Sequence, residues 1–162
     1  MANFPVCLQW LLDTEDPKRT WKEEPDTGGR AIAGVNSKVF PADFAHIAAI
    51  PQIKRGPAIT NFYLVNFWNK WFDALTSTEV AQRVFDSAVN QGPETAVKLL
   101  QLAVSVSYSH LYADGHWGPE TLSAVNSASP DDLVRAFKNE RIDAYKRIGG
   151  PNLEAWLARA SR

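Results

Sequence analysis

From residue 41 onward, proline recurs in this chain where a helix can start but cannot continue. Pro41 opens "PADFAHIAAI" and Pro51 closes it, while Pro93, Pro119 and Pro130 each head a segment with helical apolar spacing. Proline fixes φ and lacks a backbone N–H, which suits the first turn of a helix and no later one. The chain is therefore constrained to a series of short and medium helices joined by tight turns. Gly92 stops "TSTEVAQRVFDSAVN" just before Pro93 begins "PETAVKLLQLAVSV". Thr76 and Glu79 stand at capping-box spacing, and Ser129 is placed to cap the helix that Pro130 opens. "ITNFYLVNFWNKWFDAL" reads as one long, buried, aromatic helix, "DGHWG" as a turn, and "GGP" as a break before a closing helix "NLEAWLARA".

The first forty residues differ. Phe4, Cys7, Leu8, Leu11 and Leu12 follow the i, i+3, i+4, i+7, i+8 rule of a one-faced helix, which Pro17 should end near Thr14 to Asp16. Residues 16 to 40 hold Pro25, Gly28, Gly29 and Gly34 and read as loop or short strands, with "RAIAGV" extended. The expected fold class is mainly α, with a short irregular or β segment after the first helix. A length of 162 residues suits a single compact domain, which buries roughly two-thirds of the unfolded chain's surface.

Several function classes find no support. The net charge of −1 gives no electrostatic footprint for nucleic acid. No stretch approaches the roughly 20 apolar residues of a membrane span. "MANFPVCLQWLLDTEDP" lacks the basic start of a secretory signal, so synthesis in the cytoplasm is expected. The single cysteine, Cys7, reads as a small buried apolar residue. His46, His110 and His116 form no HExxH pair, so no metal is expected, and no cofactor motif is present. A GxSxG elbow is also missing.

Two residue classes remain. Trp68 and Trp71 sit in an apolar stretch and suit the core, whereas Trp21 and Trp117 lie among polar loop residues. Aromatic rings there can stack on sugar faces or can simply pin a loop to the body. Six carboxylates crowd the fourteen positions from Asp13 to Asp26. Glycoside hydrolysis commonly needs two, one donating a proton to the leaving oxygen and one supporting the water or the sugar cation. Glu15 at a helix end and Asp26 in the following loop could form such a pair, and a solvated charged loop is the competing reading.

Several stretches together resemble glycoside hydrolase family 108, the N-acetylmuramidases of phage endolysins and their bacterial relatives. In that family the first helix ends in Glu-Gly-Gly-Tyr, followed by an Asp-Pro-Gly-Gly loop, a Thr and a Gly-Ile or Gly-Val. Here "LLDTED" carries Glu15, "DTGG" carries Asp26, Gly28 and Gly29, and "GV" is Gly34-Val35. "YLVNFW" is similar to the family's Tyr-x-x-x-Tyr-Trp, "VFDSAVNQGPETAVKLLQ" to its Phe-Asp-x-Ala-Val-Asn-x-Gly-Pro, and "DGHWGPETLSAV" to its Asp-Gly-x-x-Gly-Pro-x-Thr-Leu. The closing "ERIDAYKRIGGPNLEAWLARASR" resembles its final helices.

The resemblance implies a lysozyme-like, two-lobed helical fold, with a muramidase-like lobe over residues 1–92 and a peptidoglycan-binding-like lobe over 93–162. It implies Glu15 as general acid on the β-1,4 bond between N-acetylmuramic acid and N-acetylglucosamine, with Asp26 across the cleft. Tyr63 and Trp68 of "YLVNFW" join Trp21 and Trp117 as expected substrate-binding residues. Asp86 and Asn90 match the family motif and are expected to hydrogen-bond structurally. The implied partner is bacterial peptidoglycan, met by a monomer after holin-, secretion- or lysis-dependent release. The chain also departs from the family, with Asp16-Pro17-Lys18 for Gly-Gly-Tyr and Ala31 for the Thr. These departures motivate a second expectation, a catalytically impaired protein on the same fold that binds peptidoglycan or a protein.

Overall fold

A computed structural model describes residues 1–26, 28–106, 108 and 111–162. They form two compact units, Phe4–Asn69, and Met1–Asn3 with Lys70–Arg162. The fold is mainly α with a small sheet after the first helix, as expected.

In the first unit, α1 spans Phe4–Glu15 and buries Cys7, Leu8, Leu11 and Leu12 on the face that the spacing marks out. Strands β1 (Glu23–Asp26), β2 (Gly29–Ile32) and β3 (Val35–Asn36) form an antiparallel sheet in that order. Ile32 pairs with Val35, so the β2–β3 turn contains only Ala33 and Gly34. Both have positive φ, 47° and 83°, the requirement of a type I′ turn. Helix α2 (Pro41–Ala49), a short 3-10 turn (Gln52–Lys54) and α3 (Gly56–Phe67) complete the unit. Its core gathers the α1 face, Ile32 and Val35 from the sheet, and Ile47, Ile59, Phe62 and Tyr63.

The long aromatic helix expected from "ITNFYLVNFWNKWFDAL" is broken. It starts earlier, at Gly56, and ends at Phe67, where Trp68 turns extended with ψ 142°. Leaving the helix allows the Trp68 ring to meet Phe4 edge-on at 5.3 Å between centroids. A four-residue helix, α4 (Lys70–Asp73), resumes in the second unit.

That unit continues with α5 (Thr78–Gln91), α6 (Pro93–Ser105), α7 (Pro119–Ser127), α8 (Pro130–Ile148) and α9 (Leu153–Ala160). Helix α5 packs on α6 and α8, and α8 on α6 and α9. Packing thus groups α5 with the helices that follow it, and the compact units divide at residue 69/70 where the sequence places a lobe boundary at 92/93. The α5 cap is Ser77, whose Oγ accepts from Val80 N at 3.3 Å, rather than a Thr76–Glu79 box. Thr76 is engaged elsewhere, giving its N–H and hydroxyl to Asn126 Oδ1. Ser129 does precede α8, but it contributes its carbonyl, which accepts from Leu133 N, and no side-chain cap.

Asp86 is completely buried and accepts from Arg141 at 2.8 Å and from Arg159 at 2.7 and 3.0 Å, tying α5 to α8 and α9. Asn90 Nδ2 donates to the Asp86 carbonyl. Both residues therefore do hydrogen-bonding work inside this unit. Among the described residues, no helix is long and apolar enough to cross a membrane, and no group of His, Cys, Asp and Glu is arranged to hold a metal ion. His46 and His116 are exposed, and His110 lies outside the described residues.

Candidate active site

Helix α1 ends where its apolar face ends, and the turn that follows is built by side chains that the sequence presents only as charge. The Arg19 guanidinium caps the helix end, donating to the carbonyls of Gln9, Leu12 and Asp16 at 2.7 to 3.0 Å and to Asp13 Oδ1 at 2.6 Å. A cation at a helix C-terminus satisfies the last carbonyls and opposes the negative end of the dipole. The Asp16 carboxylate accepts from Thr20 N at 3.0 Å and Trp21 N at 2.7 Å. These bonds hold Arg19 and Trp21 at φ 51° and 52°, an uncommon conformation for residues with a Cβ. Asp13 and Asp16, which read as surplus acid in the sequence, are loop-forming residues.

Farther along, Arg55 is buried and donates to the carbonyls of Ile50, Ala48 and Trp21, fastening the loop to the end of α2. Gln52 Nε2 adds a bond to Thr20 O. Glu15 is left half-buried at the base of this fixed loop. The tight hairpin turn comes up against it. A Cβ on Gly34 would stand 2.6 Å from Tyr63 Oη and 2.7 Å from Glu15 Oε2, so the carboxylate and the phenol flank a spot only a glycine leaves open. Tyr63 Oη donates to Ala33 O at 2.7 Å and fixes the turn there.

The sheet supplies the opposite wall. Glu24 pairs with Ala31 and Ala31 with Asn36, so these three share one face, and Asp26, two residues beyond Glu24, shares it too. The other face carries Ile32 and Val35 into the core, with Glu23 and Arg30 ion-paired. Glu15, Asp26, Ala31, Gly34, Glu24 and Asp16 line one cleft of about 390 Å³, together with Lys18 and Lys22. Asp26 is exposed, and Asn36 Nδ2 donates to its Oδ2 at 2.8 Å.

The fold thus brings Glu15 and Asp26 to the same cleft. Of the expected aromatic residues in the same unit, Trp21, Tyr63 and Trp68 are not among those that line it. Tyr63 is wholly buried beneath the turn, and Trp68 is packed on Phe4, so both rings belong to the core rather than to a surface a sugar could reach. Trp21 is half-buried, and a Cβ added at Gly56 would meet its indole at 3.6 Å, so the ring lies near the start of α3, in line with the loop-pinning alternative. Trp117 belongs to the second unit, stacked on Trp71 with centroids 6.4 Å apart and edge-on to Phe72. In the same unit the "DGHWG" turn is held by Asp114, which accepts from His116 N and Gln101 Nε2 at 2.8 and 2.9 Å. Those two bonds, His116 first, draw the Asp114 carboxyl below the ordinary aspartate range.

Sequence reasoning passes over Arg19, Arg55 and Asn36. The first two act through backbone carbonyls distant in sequence, and no local pattern marks such contacts. Asn36 had a usable signal, because a two-residue turn at Ala33-Gly34 fixes the register that puts it beside Ala31 on the face of Asp26.

Arranged this way, the cleft can present a proton donor and a second carboxylate to a polar ligand. A family model described as Glycosyl hydrolase 108 matches residues 9–92, and one described as Predicted Peptidoglycan domain matches residues 95–160. Among solved structures, "Structure of Brucella abortus SagA" is similar with a TM-score of 0.72 and 26% identity, over 98% of this chain and 90% of that one. No curated protein matches the chain.

Proposed function

Because the chain belongs to glycosyl hydrolase family 108, whose model covers more than half of it, we propose that it is an N-acetylmuramidase that cuts the β-1,4 bond between N-acetylmuramic acid and N-acetylglucosamine. Family membership and the adjoining peptidoglycan domain point to a peptidoglycan hydrolase. The choice of bond and the roles below are the proposal. The observation that carries it is the shared cleft of Glu15 and Asp26.

Glu15 protonates the glycosidic oxygen as the bond breaks, and the developing positive charge on the sugar falls to Asp26, which orients water or supports the oxocarbenium-like transition state. Gly34 lets the hairpin turn approach the Glu15 carboxylate closely, and Tyr63 keeps that turn in place. Residues 93–162 serve to hold the wall while residues 1–92 carry the two carboxylates. The protein acts as a monomer at the cell wall, reaching it through a holin, a secretion route or lysis.

A second reading has its own support. Ala31 presents a methyl group to the cleft where the family's pattern has a threonine, so the site has one hydroxyl fewer with which to hold water. A protein that binds peptidoglycan without cutting it would follow. The test is release of new reducing ends from purified peptidoglycan by wild type and by Glu15→Gln, with wall pelleting measured in parallel. Release by wild type that Glu15→Gln loses while still pelleting supports the muramidase. Pelleting by wild type with no release at any pH leaves the binder.

A further inference from the structure

We infer that Asn36 is the positioning residue for Asp26, holding that carboxylate in the orientation its work requires; this rests on the muramidase reading of the cleft. The amide's direction is not arbitrary. Its Oδ1 faces Lys38 N at 2.8 Å and Val39 N at 3.3 Å, both of which can only donate, so the NH2 end is forced toward Asp26. It meets Asp26 Oδ2 at 2.8 Å, the distance of a charge-assisted bond.

Asn36 thus reads the main chain with one end and the carboxylate with the other, in a half-buried setting where its rotamer is fixed from both sides. The register explains why this falls to position 36. Ala31, opposite Asn36 across the β2–β3 pair, offers only a methyl on the cleft face, and Glu24 lies on the far side of Ala31. Asn36 carries the amide that donates to the carboxylate from this face. Asp26 itself sits at the exposed end of β1, where the bond from Asn36 narrows the rotamers its side chain can take.

The experiment separates positioning from mere support. Asn36→Asp keeps an acceptor for Lys38 and Val39 but sets a second carboxylate against Asp26 in place of the donor. Reducing-end release is measured against peptidoglycan concentration for wild type, Asn36→Asp and Asn36→Ala, with thermal midpoints taken alongside. For Asn36→Asp, kcat falls about tenfold or more, as expected for losing a hydrogen bond to a charged group, with KM within about twofold and the midpoint nearly unchanged. Asn36→Ala loses kcat as well, and also midpoint, because its two backbone bonds go. Wild-type kcat in a folded Asn36→Asp, or a loss that only tracks the unfolded fraction, overturns the inference and leaves the muramidase reading standing. A wild type that turns over no peptidoglycan removes both, and is told apart by its own zero rate.

Discussion

The hydroxyl of Tyr63 reaches across from α3 to the carbonyl of Ala33 at 2.7 Å and helps to hold the hairpin turn against Glu15. Both partners are buried, so water cannot replace the bond. Tyr63→Phe leaves the Ala33 carbonyl without its donor and should destabilise the first unit by about 1–3 kcal/mol. Urea unfolding gives that value directly. Reducing-end release should fall with it, even at temperatures where the variant is fully folded.

Gly34→Ala should be worse for the site than for the fold. Its φ of 83° costs an alanine about 1 kcal/mol, and the new Cβ meets two oxygens at 2.6 and 2.7 Å. One of them, Glu15 Oε2, has to move. The expected outcome is a protein that still pellets with peptidoglycan but releases few or no reducing ends. Full activity in this variant would contradict the role given to Glu15.

Asp86 offers a contrasting case, far more important to stability than to chemistry. Asp86→Asn leaves two guanidinium groups, from Arg141 and Arg159, facing a neutral amide in a buried setting. Breaking such a pair costs about 3–5 kcal/mol. The neighbouring exposed Asn90, whose side chain bonds back to its own helix, should change stability by less than about 0.5 kcal/mol when replaced by alanine. Chemical denaturation of the two variants side by side tests the difference.

Asp114 gives a pH-dependent contribution whose sign is fixed. Its carboxyl titrates lower in the folded protein than in the unfolded chain, first because of the His116 N–H and then the Gln101 amide. The unfolded state therefore binds the proton more readily. The stabilisation is fully present above the ordinary aspartate range and is lost as pH falls through the depressed folded value. Thermal midpoints of wild type and Asp114→Ala should accordingly differ near pH 7 and draw closer as the solution is taken into the acid range.

The sequence makes most helices legible because proline and glycine mark their ends and apolar spacing marks their faces. Helix α1 stops at Glu15, where its apolar stripe runs out before Pro17. The break at Trp68 is not legible, since apolar residues continue on both sides and the exit goes with a contact to Phe4, distant in sequence. Ser77 displaces Thr76 as cap because Thr76 is drawn to Asn126, 50 residues away. At the cleft, the two carboxylates can be singled out by residue type and resemblance. The arginines that fix the loop between them cannot, because Arg19 and Arg55 work through carbonyls that every residue possesses, whereas Asn36 follows from the register of the hairpin. Tyr63 and Trp68 are expected to bind substrate from the resemblance, while the apolar stretch around Trp68 suits the core, and both rings are buried.

The Ala33–Gly34 turn has a consequence for how separable the cleft is from the rest of its unit. A type I′ turn usually has Asn, Asp or Gly at its first centre, residues that adopt positive φ at little cost, and here that place is an alanine at φ 47°. The hairpin is therefore a poor autonomous folder and depends on Tyr63, some thirty residues downstream, to be held closed. Residues 11 to 36, cut out or grafted onto another scaffold, would bring both carboxylates along and lose the geometry between them. Transplanting the cleft means transplanting α3 with it.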